Sequence, residues 1–349
     1  MKLLIMSIVL LASWYDVSCA EEYRDLIADK AVSFLQVAFS SDDLLLAAAG
    51  GGAKAPRGAV AIWNLQTGAV VARLTDFPDQ CCRIQFSPDD AGLAVSCGDG
   101  SIHLFQRSRD IWRRVNLLKA RDKARVTHAE EMQYTADGRR LIMTANQSNP
   151  GKLRMTICRG IAGLSLEGQH EPQLLLPFAP CIVSSLLRLD EAGRQLLVER
   201  GNFGRGQDLV IVDVVAKEVV KTIEIPLTPG ELSSHQSIRT TPDGKKIAFS
   251  RGRRVYAIDR ESFEIKPHFD SPEPLTLYAG LSFSADGTRL ATSSDEGTIT
   301  VWDYETGTPL VSRKHELSSG VYFSNTGKFL ASMVNPSKVQ RVWNVDELL

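Results

Sequence analysis

A short segment recurs seven times along the chain. An apolar strand ends, usually on an aromatic residue, and a tight polar turn follows at once. It reads Phe39-Ser40-Ser41-Asp42, Phe86-Ser87-Pro88-Asp89, Tyr134-Thr135-Ala136-Asp137-Gly138 and Leu189-Asp190-Glu191-Ala192-Gly193. Thr240-Thr241-Pro242-Asp243-Gly244, Phe283-Ser284-Ala285-Asp286-Gly287 and Phe323-Ser324-Asn325-Thr326-Gly327 complete the set. The lead residues lie 47, 48, 55, 51, 43 and 40 positions apart. Asp-Gly between apolar runs is a strong local signal for a hairpin. Each turn indeed opens a new apolar stretch, such as Leu290-Ala291-Thr292 or Phe329-Leu330-Ala331-Ser332.

A second landmark follows each turn by 18 to 24 residues: Ile62-Trp63-Asn64, Leu104-Phe105-Gln106, Ile211-Val212-Asp213, Ala257-Ile258-Asp259, Val301-Trp302-Asp303 and Val342-Trp343-Asn344. The third repeat keeps only Thr156-Ile157-Cys158 there. The repeating unit is therefore four strands joined by turns, with no long amphipathic helix between them. Such units bury little alone and must stack on both neighbours. The sequence predicts an all-β, seven-bladed β-propeller of four-stranded antiparallel blades, beginning near residues 34, 80, 128, 181, 235, 278 and 317. An eighth, degenerate blade is the competing count. The last repeat ends soon after its third strand, so its outer strand must come from elsewhere. Residues 23–33 are the candidate donor, closing the ring by pairing the two chain ends; the same stretch also reads as a short helix.

Composition agrees with one globular object. Apolar residues make up 44% of the chain, and 40 Lys and Arg face 41 Asp and Glu, a net charge of -1. That balance disfavours nucleic acid as a partner. The first residues stand apart from the repeats. Lys2 precedes the apolar run Leu3 to Trp14, and Ser18-Cys19-Ala20 places small residues where a signal peptidase reads. The expectation is a secretory signal over residues 1–20, cut after Ala20, with 21–349 exported to a periplasm or the cell exterior. The alternatives are an uncleaved anchor, a buried strand or, through Cys19, a lipoprotein. No other stretch approaches transmembrane length.

The repeats resemble the WD-repeat family of β-propeller proteins. The stretch from Leu281-Ser282-Phe283 through Asp295 to Val301-Trp302-Asp303 is similar to the family pattern along its whole length. The last repeat, from His315 to Trp343, is nearly as close, and the repeats between about 128 and 270 are degenerate. The resemblance implies structural blade positions at Trp63, Asp295, Trp302, Asp303, His315 and Trp343. It also implies a scaffold that binds a protein or peptide partner, and no reaction.

Blade geometry puts the loops between second and third strands on the same face as the connections between blades. The irregular insertions fall there: Gly50–Gly58, Asn146–Lys152 and Gly201–Gln207. Lys54, Arg57, Lys152, Phe203 and Arg205 sit in them. A basic run from 107 to 125 ends in Arg121, Lys123 and Arg125 on the same face. These eight residues form the candidate partner-binding face, suited to an anionic surface; a solvated outer strand with drifting loops is the plainer reading. No catalytic motif, metal-ligand spacing or cofactor fingerprint is present in the sequence. An enzyme or small-ligand binder using the central channel, or a structural part of an envelope assembly, are the functional alternatives. Once Cys19 is removed with the signal, cysteines 81, 82, 97, 158 and 181 are odd in number, so buried thiols are expected rather than a disulfide framework. The hairpin at residues 87–91 nevertheless brings Cys97 opposite Cys81 or Cys82, a geometry open to a cross-strand disulfide.

Overall fold

The computed structural model describes residues 23–27, 33–51, 57–109, 111–118, 131–148, 156–166, 173–190, 192–202, 206–225, 237–272, 280–294, 296–314, 318–334 and 339–349. Every strand pairs antiparallel with its neighbour, and the strands form seven four-stranded blades around a ring. From centre to rim, blade 1 is Ser33–Phe39, Leu45–Gly51, Gly58–Asn64 and Val70–Phe77. Blade 2 is Cys81–Phe86, Gly92–Cys97, Ile102–Ser108 and Ile111–Leu118. Blade 3 is Met132–Tyr134, Arg140–Ser148, Thr156–Ser165 and the first part of the long strand Gln173–Arg188. The second part of that strand begins blade 4, followed by Gln195–Asn202, Gly206–Asp213 and Glu218–Ile225. Blade 5 is Ile238–Thr240, Ile247–Arg251, Arg254–Ile258 and Ile265–Asp270, and blade 6 is Leu281–Phe283, Arg289–Ser293, Thr298–Asp303 and Thr308–Lys314. Blade 7 takes Ser318–Phe323, Phe329–Val334 and Val339–Asn344 from the C-terminal end and Tyr23–Ile27 from the N-terminal end. A one-turn helix, Val345–Leu348, follows. No helix among the described residues is long and apolar enough to cross a membrane.

The ring closes by backbone pairing of its two ends, with Tyr23 opposite Trp343 and Ile27 opposite Val339. Residues 23–27 are thus a strand, and the helical reading of this segment falls away. A helix there would leave Val339–Asn344 with an unpaired edge. Side chains reinforce the join. Arg341 grips Asp25 through two hydrogen bonds of 2.7 and 2.8 Å, and its guanidinium lies 3.9 Å from the Tyr23 ring centroid. Arg24 donates to the carbonyls of Leu65 and Gln66 in blade 1, and Leu26 is buried between the blades.

Alternation sends one side of each blade to each neighbour, so the apolar core is divided. Among the described residues, each of the seven blade interfaces has its own buried cluster. Trp63 is fully buried at the interface of blades 1 and 7, edge-on to Phe34; Trp343 packs between blades 6 and 7. Trp112 is buried against Phe86.

The two sequence landmarks turn out to be hydrogen-bonding devices. At the head of six turns a hydroxyl (Ser40, Ser87, Thr135, Thr241, Ser284, Ser324) accepts from the backbone N–H five residues on. In five of these the same hydroxyl donates to the aspartate two residues on. In the other landmark, Asn64, Asp213, Asp259 and Asp303 accept from backbone N–H groups of the following turn, and Asn344 caps the final helix.

One turn position needs positive φ, and glycine supplies it in blades 3 to 7. Blades 1 and 2 place Asp43 (φ 57°) and Asp90 (φ 56°) there instead. The carboxylates repay the strain by reaching the preceding blade. Asp90 accepts from the Ser41 N–H and hydroxyl. Asp43, buried, accepts from the Ser324 and Thr326 hydroxyls and from the N–H groups of Asn325 (3.0 Å) and Thr326 (3.2 Å), tying blade 1 to blade 7. Replacing Asp43 by Ala removes these acceptors while retaining the strained backbone. We expect a loss of about 3 kcal/mol in urea unfolding, with Asp43→Asn costing clearly less because Asn tolerates positive φ and keeps one acceptor oxygen. Equal losses for the two variants would mean that Asp43 does not act through these hydrogen bonds.

Candidate functional site

Of the eight residues predicted to form a partner-binding face, Arg57 lies within the described part and is exposed. Lys54, Arg121, Lys123, Arg125, Lys152, Phe203 and Arg205 lie outside the described residues, as do Asp295 and His315. Within the basic run, Arg114 is turned inward along the sheet. Its guanidinium sits over the Phe77 and Phe105 rings at 5.5 and 5.4 Å and bonds Asp76. Trp302 donates its indole N–H to Thr292 at 2.9 Å, and Asp303 caps the next turn. Both are structural positions.

The described residues bring a different group together, at the centre of the ring. Along six of the seven inner strands one residue is buried between blades (Val37, Ile84, Met132, Ile238, Leu281, Val321), whereas the polar side chains beside it are half-buried and project toward the axis. Inner strands diverge too far to share backbone hydrogen bonds, so some of these side chains bridge instead. Gln36 accepts from the Ile84 N–H at 2.8 Å and Gln85 from the Tyr134 N–H at 3.0 Å. Ser237 and Ser282 accept from Leu281 and Phe323 at 3.1 and 2.8 Å. These four are ring mortar.

Several of the other axial side chains carry charge. Arg83 of blade 2 holds Glu131, at the start of blade 3, through Nη2 at 2.5 Å and Nε at 3.0 Å. Tyr322 of blade 7 lies within electrostatic reach of Arg239, Arg83 and Glu131, which stand on blades 5, 2 and 3. Groups on blades so far apart around the ring reach one another through the channel rather than through a shared blade interface. Burial pushes the Tyr322 phenol up, so it remains a neutral hydrogen-bonding group.

Glu199 completes the group from the second strand of blade 4. It is 1% exposed, faces Ser185 across the ladder, and its Oε2 has no hydrogen-bond partner among the described residues. Burial pushes its carboxyl up to about 7, against the opposing pull of the Ser185 hydroxyl and the Arg239 charge. With the Glu199 carboxyl pushed up to about 7, the guanidinium groups of Arg83 and Arg239 outweigh the two carboxyl groups of the channel around neutral pH. The surplus is positive. Among the described residues no group of three or more His, Cys, Asp and Glu side chains is placed to hold a metal ion.

Acid, histidine and metal-ligand spacings in the sequence do not reveal this constellation, because its members lie on five different blades. The available signal was different: aligning the seven turn heads exposes polar residues one and three places upstream, at Gln85, Gln133, Arg239 and Tyr322 and at Gln36, Arg83 and Glu131.

The profile of the WD domain, G-beta repeat, matches residues 71–106 and 279–303. The first stretch runs from the outer strand of blade 1 through the third strand of blade 2, and the second spans three strands of blade 6. The chain is a β-propeller, and two stretches of it are similar to the WD repeat. Among curated proteins none matches the sequence. Among solved structures, hydrazine synthase of Kuenenia stuttgartiensis superposes with a TM-score of 0.72 at 14% identity, covering 91% of this chain and 97% of that one. The Cps50 (Swd1) β-propeller domain of Myceliophteria thermophila superposes with a TM-score of 0.69 at 15% identity, covering 92% and 99%. At such identities the likeness is one of fold.

Glu199 gives the channel a pH signature. Its carboxyl titrates near 7 in the fold against about 4.5 when unfolded, so the native state binds the extra proton between those values. Stability therefore falls as pH rises from about 4.5 to 7 and levels off above, by an amount of order 3 kcal/mol. Glu199→Gln should abolish this decline and melt higher than the parent at pH 8, with little difference at pH 5. Parallel melting-temperature profiles for the two proteins would show that Glu199 titrates normally.

Proposed function

We propose that this chain is a non-enzymatic docking scaffold, and that it receives an acidic segment of a protein or peptide partner over the mouth of its central channel. The observation that carries the reading is the cross-ring group of Arg83, Arg239, Tyr322, Glu131 and Glu199, with its surplus of positive charge. Guanidinium groups present fixed donors to a carboxylate, and a confined channel strengthens that attraction relative to open water. A rigid ring with separate interface cores supports docking well, because little of the fold must rearrange on binding.

The face expected from the sequence would add charge of the same sign. Lys54, Arg57, Arg121, Lys123, Arg125, Lys152 and Arg205 would meet an acidic surface around the mouth, with Phe203 as an apolar contact. We place the protein outside the cytoplasm, periplasmic or extracellular, on the strength of the charged and apolar N-terminal run and the small residues before Glu21. N-terminal sequencing of protein recovered from an exporting host should begin at Glu21; an intact Met1 would remove the exported reading.

Fluorescence anisotropy with synthetic peptides of matched length and acidic, neutral or basic composition tests the docking reading. The acidic set should bind, and Arg239→Glu should weaken it at least tenfold while leaving the circular dichroism spectrum unchanged. Joint reversal of Arg121, Lys123 and Arg125 to Glu should weaken binding further and flatten its salt dependence. Equal binding of all three sets, or preference for the basic set, would overturn the acidic-segment reading.

A further inference from the structure

Four of the five cysteines in the propeller stand in two directly opposed cross-strand pairs. In blade 2, Cys81 of the inner strand faces Cys97 of the second, with the sulfurs 3.8 Å apart. The adjacent pair, Gln80 and Gly98, is hydrogen-bonded from the Gly98 N–H at 2.9 Å. Cys81 and Cys97 thus occupy the closer, non-hydrogen-bonded register of an antiparallel ladder, whose Cα separation suits a disulfide. Between blades 3 and 4, Cys158 of a third strand faces Cys181 within the long strand Gln173–Arg188; the Cys158 thiol donates to the Gly160 carbonyl at 3.2 Å and the Cys181 thiol to the Cys158 carbonyl at 3.9 Å. All four are buried inside blade-interface clusters, where a disulfide displaces no charged group. Gly58 of blade 1 makes room for the first pair, since a Cβ there would stand 2.9 Å from the Cys81 sulfur.

The surroundings also favour the chemistry. The hydrogen bond from Cys81, and then His103 of the neighbouring strand, hold the Cys97 thiol below the usual thiol range. His103 is itself held by Ser101, whose hydroxyl lies 2.9 Å from its Nε2 and 2.6 Å from Asp99. In the second pair, the Cys158 thiol beside it and the charge of Arg200 lower Cys181 in the same way. Each pair thus has one thiol biased toward thiolate, the attacking species in exchange, and one neighbour within reach to resolve it. Cys82 points to the other side of its strand by alternation, is half-buried, and donates to the Gln80 carbonyl.

We propose that Cys81–Cys97 and Cys158–Cys181 are two disulfide-forming sites, closed by exchange with a small disulfide such as oxidised glutathione, with Cys82 remaining a thiol. In each site the first thiolate attacks one sulfur of the donor, forming a mixed disulfide and releasing one donor thiolate. The second cysteine then attacks the protein sulfur of that mixed bond, giving the protein disulfide and releasing the other donor thiolate. Two cysteine thiols are oxidised and one donor disulfide is reduced to two thiols, which take up the two protons. The odd cysteine count, which argued against a disulfide framework, resolves into two pairs and one thiol. The inference stands apart from what docks on the ring.

Differential alkylation of the full chain tests it. Protein equilibrated with oxidised glutathione is blocked with N-ethylmaleimide, denatured, reduced and labelled with iodoacetamide, and each cysteine is read by peptide mass spectrometry. The expected result is iodoacetamide on residues 81, 97, 158 and 181 and maleimide on Cys82. Cys97→Ser should return only Cys81 to the maleimide pool, and Cys181→Ser only Cys158. A second arm refolds the chain from urea in the same redox couple, so that burial cannot mask the sites. Maleimide on all five in both arms, or disulfide-linked peptides containing Cys82, would overturn the proposal. Peptide binding by anisotropy, read on the same samples, separates this outcome from that of the docking reading.

Discussion

A ring of sheets is stable only when it closes, and here closure rests on a short antiparallel pairing between the chain's two ends. Tyr23–Ile27 supplies the outer strand of the last blade, covers the edge of Val339–Asn344, and buries Leu26 against blade 1. Without it, blade 7 would show an open edge and the interface of blades 7 and 1 would lose part of its cover. Asp43 secures the same joint at the turn end, across 281 residues of sequence from Ser324. A backbone ladder at the rim and a buried carboxylate near the axis thus lock one interface at both radii.

The same need repeats around the ring at lower strength. Among the described residues, adjacent blades share no backbone ladder except through the long strand Gln173–Arg188, which serves two blades. Elsewhere each interface is held by its own apolar cluster and by single side chains that reach the next inner strand, as Gln36, Gln85, Ser237 and Ser282 do. Using polar residues on the axis has a consequence. Once some of them are spent on bridging, the others are left to face one another across the channel, and there the charges of Arg83, Glu131, Glu199 and Arg239 collect.

Much of this was legible in the sequence because it is local. The turn motif appears as Ser/Thr-x-Asp since the hydroxyl, the aspartate and the backbone N–H five residues on all belong to one hairpin. The second landmark appears as an apolar residue followed by Asn or Asp because that polar side chain caps the turn beside it. The candidate site was far less legible. Arg83, Glu131, Glu199, Arg239 and Tyr322 are separated by 40 to 83 residues, and each alone looks like an ordinary polar residue in a strand. The cysteines fall between these cases. Cys81 and Cys97 flank one hairpin, so their opposition followed from counting, with Cys82 the equal alternative until the register excluded it. Cys158 and Cys181 lie across an irregular stretch with two shifts of register, which no count could align.

The sequence by itself determined the blade count, the strand order within a blade and the turn chemistry, because these depend on residues close together in the chain. Tertiary structure alone decided which residues meet at the axis and which thiols face each other between blades 3 and 4. It also decided that residues 23–27 are a strand. Each of these outcomes depends on where the ring places its neighbours: a solitary segment has no partner edge, and a solitary charge has no opposite across a channel until the ring has closed.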